Sequence, residues 1–170
     1  PKPRQLHNTH WGAFCPAETP EGQACGLVKN LTIMTYVTVG SPPDPVIRIC
    51  ERLGVSPPEK AMDTGIIYKP NIVKVFVNGN PIGVTGEPVL LTNQLRALRR
   101  CGDISHEVSI CWNIQERMIT IVTDTGRPCR PYFVVKNNRI LYTRHHYLRL
   151  GSKGVASMTW QDLLNEGVVE

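Results

Sequence analysis

The dipeptide Asn78-Gly79 stands between two short apolar runs in the stretch IVKVFV-NG-NPIGVT. A two-residue hairpin turn of type I′ needs positive φ angles at both central positions, and Asn followed by Gly adopts them at little steric cost. The pattern therefore predicts a β-hairpin from about residue 72 to residue 84.

The segment after this hairpin has helical periodicity. Leu91, Leu95 and Leu98 are spaced i, i+4 and i+7, and Gly102 stands where a helix stop is expected. The segments that follow are predicted to be strands, with a tight turn at Thr125-Gly126. They are VSICWNI, RMITIVTD, RPCRPYFVVK and RILYT. A hairpin, a helix and then strands indicate a small α+β domain at about 72–136.

Two further helices are predicted, one on each side of this domain. The apolar residues of VIRICERL have near-helical spacing and end at Gly54, whereas residues 55–70 read as a loop. Near the other end, Thr159 and Asp162 form a capping-box pattern and Gly167 provides a stop. Met158 and Leu163 are placed to form a hydrophobic staple across that cap.

The first part of the chain contrasts with this regular pattern. Prolines and glycines recur up to Gly26 and argue against a long regular element there. The run LVKNLTIMTYVTV then becomes apolar and β-branched, which predicts a buried strand, although periodicity alone leaves a short buried helix open.

Composition narrows the class of protein. The 170 residues are 41% hydrophobic and 19% charged, which is typical of a folded globular chain. No apolar run has membrane-spanning length, and the net charge of +5 is spread along the chain rather than concentrated as in a dedicated nucleic-acid-binding domain. The six cysteines form no CxxC pair, which favours reduced thiols, and the start at Pro1 leads us to expect a piece of a longer protein.

The densest cluster of chemically reactive residue types is CPAETPEGQACGLVKNL, residues 15–31, together with two histidines before it. His7, His10, Cys15 and Cys25 are a possible zinc ligand set, but their spacing matches none of the usual patterns. Glu18 and Glu21 lie too close in sequence to be assigned to opposite sides of a substrate. No nucleophile elbow and no phosphate-binding loop is present.

A backbone shaped around another molecule is the alternative that we prefer for this cluster. Thr19-Pro20 fixes a turn, while Gly22 and Gly26 permit close approach of other atoms. Hydrogen-bonding groups surround them, on Gln5, His7, Asn8, His10, Lys29 and Asn30. This combination suits the lining of a channel that holds a polyanion, with an ordinary buried loop as the competing interpretation.

Residues 4–31, RQLHNTHWGAFCPAETPEGQACGLVKNL, closely resemble the fork region of the second-largest subunit of multisubunit DNA-dependent RNA polymerases. The motifs HNTHWG, CPAETPEG and GLVKNL carry this resemblance. It continues in the family's order through VFVNGNPIGV, LRALRRCGDI, TDTGRPCRPYFVV and WQDLLNEGVVE. The similarity is greatest to the eukaryotic RNA polymerase II subunit, which implies a nuclear protein of transcription.

The resemblance implies an α+β fold in three parts. Residues 1–40 correspond to the C-terminal part of the fork, residues 41–136 to an external-1-like α+β domain, and residues 137–170 to part of an external-2-like region. The complete enzyme is implied to be a DNA-templated nucleotidyltransferase that uses Mg²⁺, bound mainly by the largest subunit. No catalytic residue and no metal site is expected within this chain.

The resemblance also implies which residues line the active-centre cleft, where the DNA strands separate and the RNA–DNA hybrid lies. These residues are Arg4, Gln5, Glu18, Thr19, Pro20, Glu21, Gly22, Lys29 and Asn30. Because a carboxylate repels phosphate, we expect Glu18 and Glu21 to face protein cations and to organise the loop. The implied partners are the largest subunit, other polymerase subunits, template DNA and the hybrid, with no membrane.

Three alternatives stay open. Arg96, Arg99 and Arg100 either hold nucleic acid or form a solvated or subunit-contacting helix face, and the helix dipole already favours cations there. The chain is alternatively a free-standing interaction module that uses residues 72–136 and has no catalysis. A metal hydrolase is the third interpretation, and it requires zinc at the His/Cys set.

Overall fold

A computed structural model describes residues 1–150 and 157–170 of the chain. The described helices and strands confirm the α+β class. The α-helices are α1 Asp44–Arg52, α2 Pro58–Asp63, α3 Pro88–Cys101, α4 Arg144–Arg149 and α5 Trp160–Asn165. The strands are β1 Tyr36–Val37, β2 Val73–Val77, β3 Asn80–Thr85, β4 Ser109–Asn113, β5 Met118–Val122, β6 Pro128–Cys129, β7 Val135–Lys136 and β8 Arg139–Ile140. Short 3-10 turns lie at Lys2–Arg4, Asn8–His10, Gly22–Ala24 and Ile66–Tyr68.

A four-stranded sheet in the order β3-β2-β5-β4 forms the centre of the protein. The predicted hairpin β2–β3 is confirmed, and its turn residues Asn78 and Gly79 have φ angles of 49° and 82°. β2 and β5 pair in parallel at the middle of the sheet, while both outer pairs are antiparallel. The Asn78 side chain also binds the main-chain N–H and the hydroxyl of Thr123, so the turn is fixed to the end of β5.

One face of this sheet is buried under helices α1 and α3. Alternate residues of β2 and β5, including Val75 and Ile119, are fully buried, as the period of two in a strand requires. Helix α3 contributes Leu91 and Leu95 to the same core and ends at Gly102, whose φ angle is 87°. The predicted leucine stripe and glycine stop are therefore confirmed.

Residues beyond the sheet form a second, smaller core. Met158 and Leu163 are buried together with Val168 and Val169, and the Thr159–Asp162 capping box is present. Main-chain hydrogen bonds join Tyr132 to Glu170 in both directions, so the chain after α5 returns to the segment before β7. The domain boundaries at 40 and 136 stay predictions, and residues 151–156 of the predicted third region lie outside the described residues.

The predicted buried strand at 27–39 is wrong. Only Tyr36–Val37 is a strand, it pairs with β6, and both residues are exposed. Ile33 is fully exposed. The hydroxyls of Thr32 and Thr35 donate to the carbonyls of Gly12 and Ala13, so side-chain bonds replace a strand ladder.

Three other local predictions need correction. Residues 55–70 contain helix α2, which begins at Pro58, because proline is compatible with a first helical position that has no N–H partner. The runs at 127–136 and 139–143 contain only two-residue strands. Prolines 128 and 131 have no main-chain N–H for a strand ladder, so the first run forms only short strands, and Thr143 caps helix α4 after the second run.

The irregular segment 1–40 is joined to the sheet domain by the carboxylate of Glu107, which precedes β4. The phenol of Tyr36 donates to Glu107 Oε1, and the N–H of Gly40 donates to Oε2 at 2.8 Å. These bonds, with a third from Val39 N–H, hold the pKa of Glu107 below its ordinary value. The same contact raises the pKa of the Tyr36 phenol.

Arg127 and Thr38 complete this joint. The Arg127 guanidinium donates to the main-chain carbonyl of Glu107 at 2.8 Å. The main-chain N–H of Arg127 donates to the Thr38 hydroxyl. Thr38 is buried and its hydroxyl donates to the Asp124 carbonyl. Because Ser109 of β4 pairs with Val122 of β5, the loop before β4 and the loop after β5 lie at the same end of this strand pair, and residues 36–40 are fixed there.

The close approach of two backbone segments fixes the loop before this joint. Gly26 has a φ angle of +75°, and a Cβ placed on it would lie 2.2 Å from the Arg4 carbonyl oxygen. Gly22 also has a positive φ angle, +87°, but a Cβ there would meet no atom within 4 Å. Both positions need glycine for conformation, and only Gly26 needs it for space.

Replacing Gly26 with Ala is expected to loosen residues 18–30 more than replacing Gly22 with Ala. Both variants carry the cost of a left-handed alanine, roughly 1–2 kcal/mol, but only Gly26→Ala must also displace the Arg4 backbone. Hydrogen exchange of the amides at 18–30 measures the difference. Equal exchange rates in the two variants would contradict the close-approach account.

Glu107→Gln is expected to lower the pKa of Tyr36 towards the ordinary tyrosine value, because the carboxylate that holds the phenolic proton is removed. An NMR titration of the Tyr36 ring measures this shift, and Glu116→Gln, on the β4–β5 turn, is the control. Because the Glu107 pKa is lowered by folding, its stabilising contribution is complete above the ordinary glutamate pKa and is lost as the pH falls through the lowered value. An unchanged Tyr36 pKa would show that the joint does not persist in solution.

Candidate functional site

The loop at residues 18–30 is closed by its own hydrogen bonds. The Thr19 hydroxyl accepts from Gly26 N–H at 2.8 Å and donates to the Val28 carbonyl at 3.3 Å. The Asn30 side chain donates to the Glu18 carbonyl at 3.4 Å, and the Asn30 carbonyl accepts from Cys15 N–H at 2.8 Å. These bonds hold the two arms of the loop together without a buried apolar core.

Arg4 braces the loop from outside. Its guanidinium donates to the carbonyls of Gln23 and Cys25, the latter at 2.8 Å. Arg4 was predicted as a cleft-facing residue, and in this structure its donors serve the backbone of the loop. Gln5 is adjacent and exposed.

The charged side chains of the loop point outward. Glu18, Glu21 and Lys29 are exposed. Within residues 1–150 and 157–170, the ion pairs join other residues, and neither glutamate has a cation within 4.0 Å. The expectation that these carboxylates face protein cations is therefore not met inside the described part of the chain.

A small cleft lies beside the loop, with a volume of about 70 Å³. Five of the predicted residues line it: Arg4, Gln5, Glu18, Thr19 and Lys29. Pro20, Glu21, Gly22 and Asn30 lie outside its lining. The cleft is much smaller than the roughly 300–1,000 Å³ of small-molecule sites, so the exposed surface around it is a better candidate for an interface than the cleft itself.

The two histidines of the candidate zinc ligand set make other contacts. The His7 ring nitrogen Nδ1 lies 2.7 Å from the Thr9 hydroxyl, and His10 Nδ1 accepts from His7 N–H. The His10 ring packs edge-on against Phe14 at 5.2 Å. Among the described residues, which include all four candidates, no three His, Cys, Asp or Glu side chains gather in a way that could hold a metal ion.

Two of the helix arginines are bound to protein. Arg100 Nε lies 2.7 Å from Glu170 Oε2, and Arg99 contacts the same oxygen at 3.2 Å. Arg99 also donates to the Val108 carbonyl at 2.9 Å. The hydrogen bond from Arg100 is the largest cause of the lowered pKa of Glu170. Both guanidinium groups therefore bind within the chain, a role that neither the nucleic-acid interpretation nor the solvated or subunit-contacting interpretation predicted.

Sequence reasoning missed Glu107, Arg127 and Glu170 as organising residues. Their partners lie far away in the chain: Glu107 bonds to Gly40, and Glu170 bonds to Arg100. No local motif marks such pairs, although Glu170 and the paired arginines of LRALRR are complementary in charge. In the described part of the chain, no helix is both long enough and apolar enough to span a membrane.

Two family models match the chain. The model described as RNA polymerase Rpb2, domain 3, matches residues 1–37, and the model described as RNA polymerase Rpb2, domain 4, matches residues 75–136. The first covers the braced loop and reaches β1. The second covers the hairpin, helix α3 and the strands up to β7.

Similar proteins are named as polymerase subunits. The chain is 58% identical over 137 residues to the DNA-directed RNA polymerase II subunit RPB2 of Schizosaccharomyces pombe, covering 81% of this chain and 11% of that protein. It is 45% identical over 168 residues to RPB2 of Encephalitozoon cuniculi, covering 99% of this chain and 14% of that protein. It is 40% identical over 168 residues to the RNA polymerase III subunit RPC2 of Drosophila melanogaster, again covering 99% and 14%.

The chain thus spans less than one sixth of the length of these relatives, and two of the three alignments cover 99% of it. The chain belongs to the family of second-largest subunits of DNA-directed RNA polymerases and corresponds to part of such a subunit.

Proposed function

We propose that this chain is a wall of the nucleic-acid channel in a DNA-directed RNA polymerase, and that it contributes to DNA-templated RNA synthesis without supplying a catalytic group. The observation that carries the proposal is the match of residues 1–37 to Rpb2 domain 3, the part that holds the braced loop. A channel wall must keep its shape while a polymer moves past it. Bonds from Arg4, Thr19 and Asn30 to the backbone provide such rigidity.

The nine predicted residues divide into four roles under this proposal: positioning the loop, contacting nucleic acid, shaping the turn and facing cations. Arg4, Thr19 and Asn30 position the loop, since their polar groups are engaged with its backbone. Gln5 and Lys29 are exposed donors beside the cleft, and they are the proposed contacts to phosphate or sugar. Pro20 and Gly22 shape the turn.

Glu18 and Glu21 are proposed to face cations that lie outside this chain. Both carboxylates are exposed, and neither has an ion-pair partner among the described residues. Phosphate would repel them, whereas Lys or Arg of another part of the enzyme would bind them. The proposed partners are therefore the largest subunit and other polymerase subunits, together with template DNA and the RNA–DNA hybrid.

The complete enzyme would transfer nucleotides with Mg²⁺, which supplies charge stabilisation in phosphoryl transfer. The described residues of this chain do not fit a Mg²⁺ site, because no three candidate ligands come together. We therefore assign the metal ligands to other parts of the polymerase, mainly to its largest subunit, and derive no catalytic step here.

Identity values favour RNA polymerase II as the enzyme class. Five relatives named as RNA polymerase II subunits are 42–58% identical to this chain, and three named as RNA polymerase III subunits are 34–40% identical. A nuclear location follows from this assignment. No observation specifically favours the free-standing module, since the similarity extends over 99% of the chain.

Lys29→Gln in the complete polymerase is expected to weaken retention of nucleic acid in a salt-dependent way. The slope of log affinity against log salt is negative, and loss of one phosphate contact should make it shallower by about 0.7–0.9. Dissociation of a DNA–RNA scaffold from the enzyme, measured over a series of KCl concentrations, gives this slope.

The matched control is Lys136→Gln, which removes an exposed lysine from β7, well away in sequence from the loop. We expect the control to leave the slope unchanged. Identical slopes for both variants would contradict the assignment of Lys29 to the channel, and with it the proposed role of the loop surface.

A further inference from the structure

An apolar groove of about 620 Å³ lies between residues 33–36, residues 129–131 and helix α5. Its apolar lining includes Ile33, Met34, Tyr36, Pro131, Trp160 and Leu164. The groove belongs neither to the braced loop nor to the core of the sheet. It also has the size that the small cleft of the loop lacks.

The groove exposes apolar side chains to an unusual degree. Ile33 is 101% exposed, Met34 58% and Trp160 41%. Soluble proteins rarely leave contiguous apolar surface of this kind uncovered, and larger exposed patches mark interaction sites. Covering these three residues would remove a large part of the apolar surface next to β1.

The walls of the groove are fixed before any occupant arrives. Tyr36 is held by Glu107, and the main chain of Glu170 is paired with Tyr132. Trp160 begins a helix whose capping box is complete. Docking into a preformed groove loses less conformational entropy than docking that must order both partners.

Arg130 places a positive charge in the wall of the groove. The Arg130 side chain lines it, with its guanidinium over the Tyr132 ring at 5.0 Å and its Nε donating to the Tyr132 hydroxyl. Among the described residues, Arg130 has no carboxylate within 4.0 Å. The carboxylate that does line the groove, Glu170, is already neutralised by Arg99 and Arg100. An occupant with an acidic side chain therefore complements Arg130.

We propose that this groove binds an apolar segment with at least one Asp or Glu, contributed by the same subunit from outside residues 1–170. In the relatives that align with 99% of this chain, the aligned part is only 14–15% of the subunit, so most of the subunit lies outside it. A covalently linked segment docks at a high effective concentration, which favours it over a separate chain of equal chemistry. The proposal rests on family membership and is independent of the channel role of the loop.

Photo-crosslinking in the assembled polymerase identifies the occupant. Trp160 is replaced by the photoreactive amino acid p-benzoylphenylalanine in one variant and Met34 in a second, which guards against failure of either to assemble. Tyr147, 68% exposed on α4, is the matched aromatic control site. We expect both groove sites to yield one shared peptide from the same subunit, outside residues 1–170 and containing Asp or Glu, and the control site not to yield it.

Hydroxyl-radical footprinting of the wild-type polymerase provides a test without any variant. Met158 is 5% exposed and Met62 is 63% exposed, so the chain contains its own buried and exposed methionine references. If the groove is occupied, Met34 should oxidise at about the Met158 rate and at least about fivefold more slowly than Met62. Oxidation of Met34 as fast as Met62 would show an empty groove and overturn the proposal.

The crosslinked partner separates the other occupants. Adducts with another subunit, with nucleic acid or only with residues 1–170 would each overturn the proposal, as would the absence of adducts from an assembled variant. A same-subunit peptide without Asp or Glu would overturn the role assigned to Arg130. None of these crosslinking results depends on the salt slope measured for the Lys29→Gln variant. Either proposal can therefore be contradicted while the other stands.

Discussion

The carboxylate of Glu107 joins two parts of the chain that are stabilised in different ways. On one side lies a sheet with a continuous apolar core, and on the other lies a segment whose apolar side chains are largely exposed. Three donors from residues 36–40 converge on this single side chain. The orientation of the segment before residue 36 relative to the sheet therefore depends on the hydrogen bonds to this carboxylate, together with the β1–β6 pairing and the bonds of Arg127 and Thr38.

The first 40 residues have a hydrogen-bonded backbone but bury few apolar side chains. Trp11 is 80% exposed, and Leu27 and Leu31 are about half exposed, while side-chain bonds from Arg4 and Thr19 hold the backbone. Hydrogen bonds thus define the backbone of this segment, while its exposed apolar side chains are available for contacts with other parts of a larger protein. This combination fits a part of a large subunit, and it explains why the loop and the groove both call for neighbours from outside this chain.

The parts of the fold that sequence predicted are those fixed by local physics. Asn78-Gly79, the leucine stripe ending at Gly102 and the Thr159–Asp162 cap each specify a turn, a helix or a helix end within a few residues. The parallel pairing of β2 with β5, the Glu107 joint and the contact of Arg100 with Glu170 link residues more than 40 positions apart. The run at 27–39 misled because β-branched composition predicts a strand, whereas a strand also needs a partner, and β6 offers only two residues. At the candidate site, the residue identities came from the resemblance, but the division between bracing and exposed residues required the structure.

The most direct test of the account is a structure of the complete polymerase containing this chain, bound to a DNA–RNA scaffold and determined by electron cryomicroscopy. The account predicts that the exposed face of residues 18–30 lies along the nucleic acid, with the Lys29 ammonium within a Debye length of a phosphate, about 10 Å at 0.1 M salt. It also predicts that the bonds of Thr19 to Gly26 and of Glu107 to Gly40 are retained. A loop that faces bulk solvent or another subunit, with no phosphate within that distance, would contradict the claim that this chain is a wall of the channel.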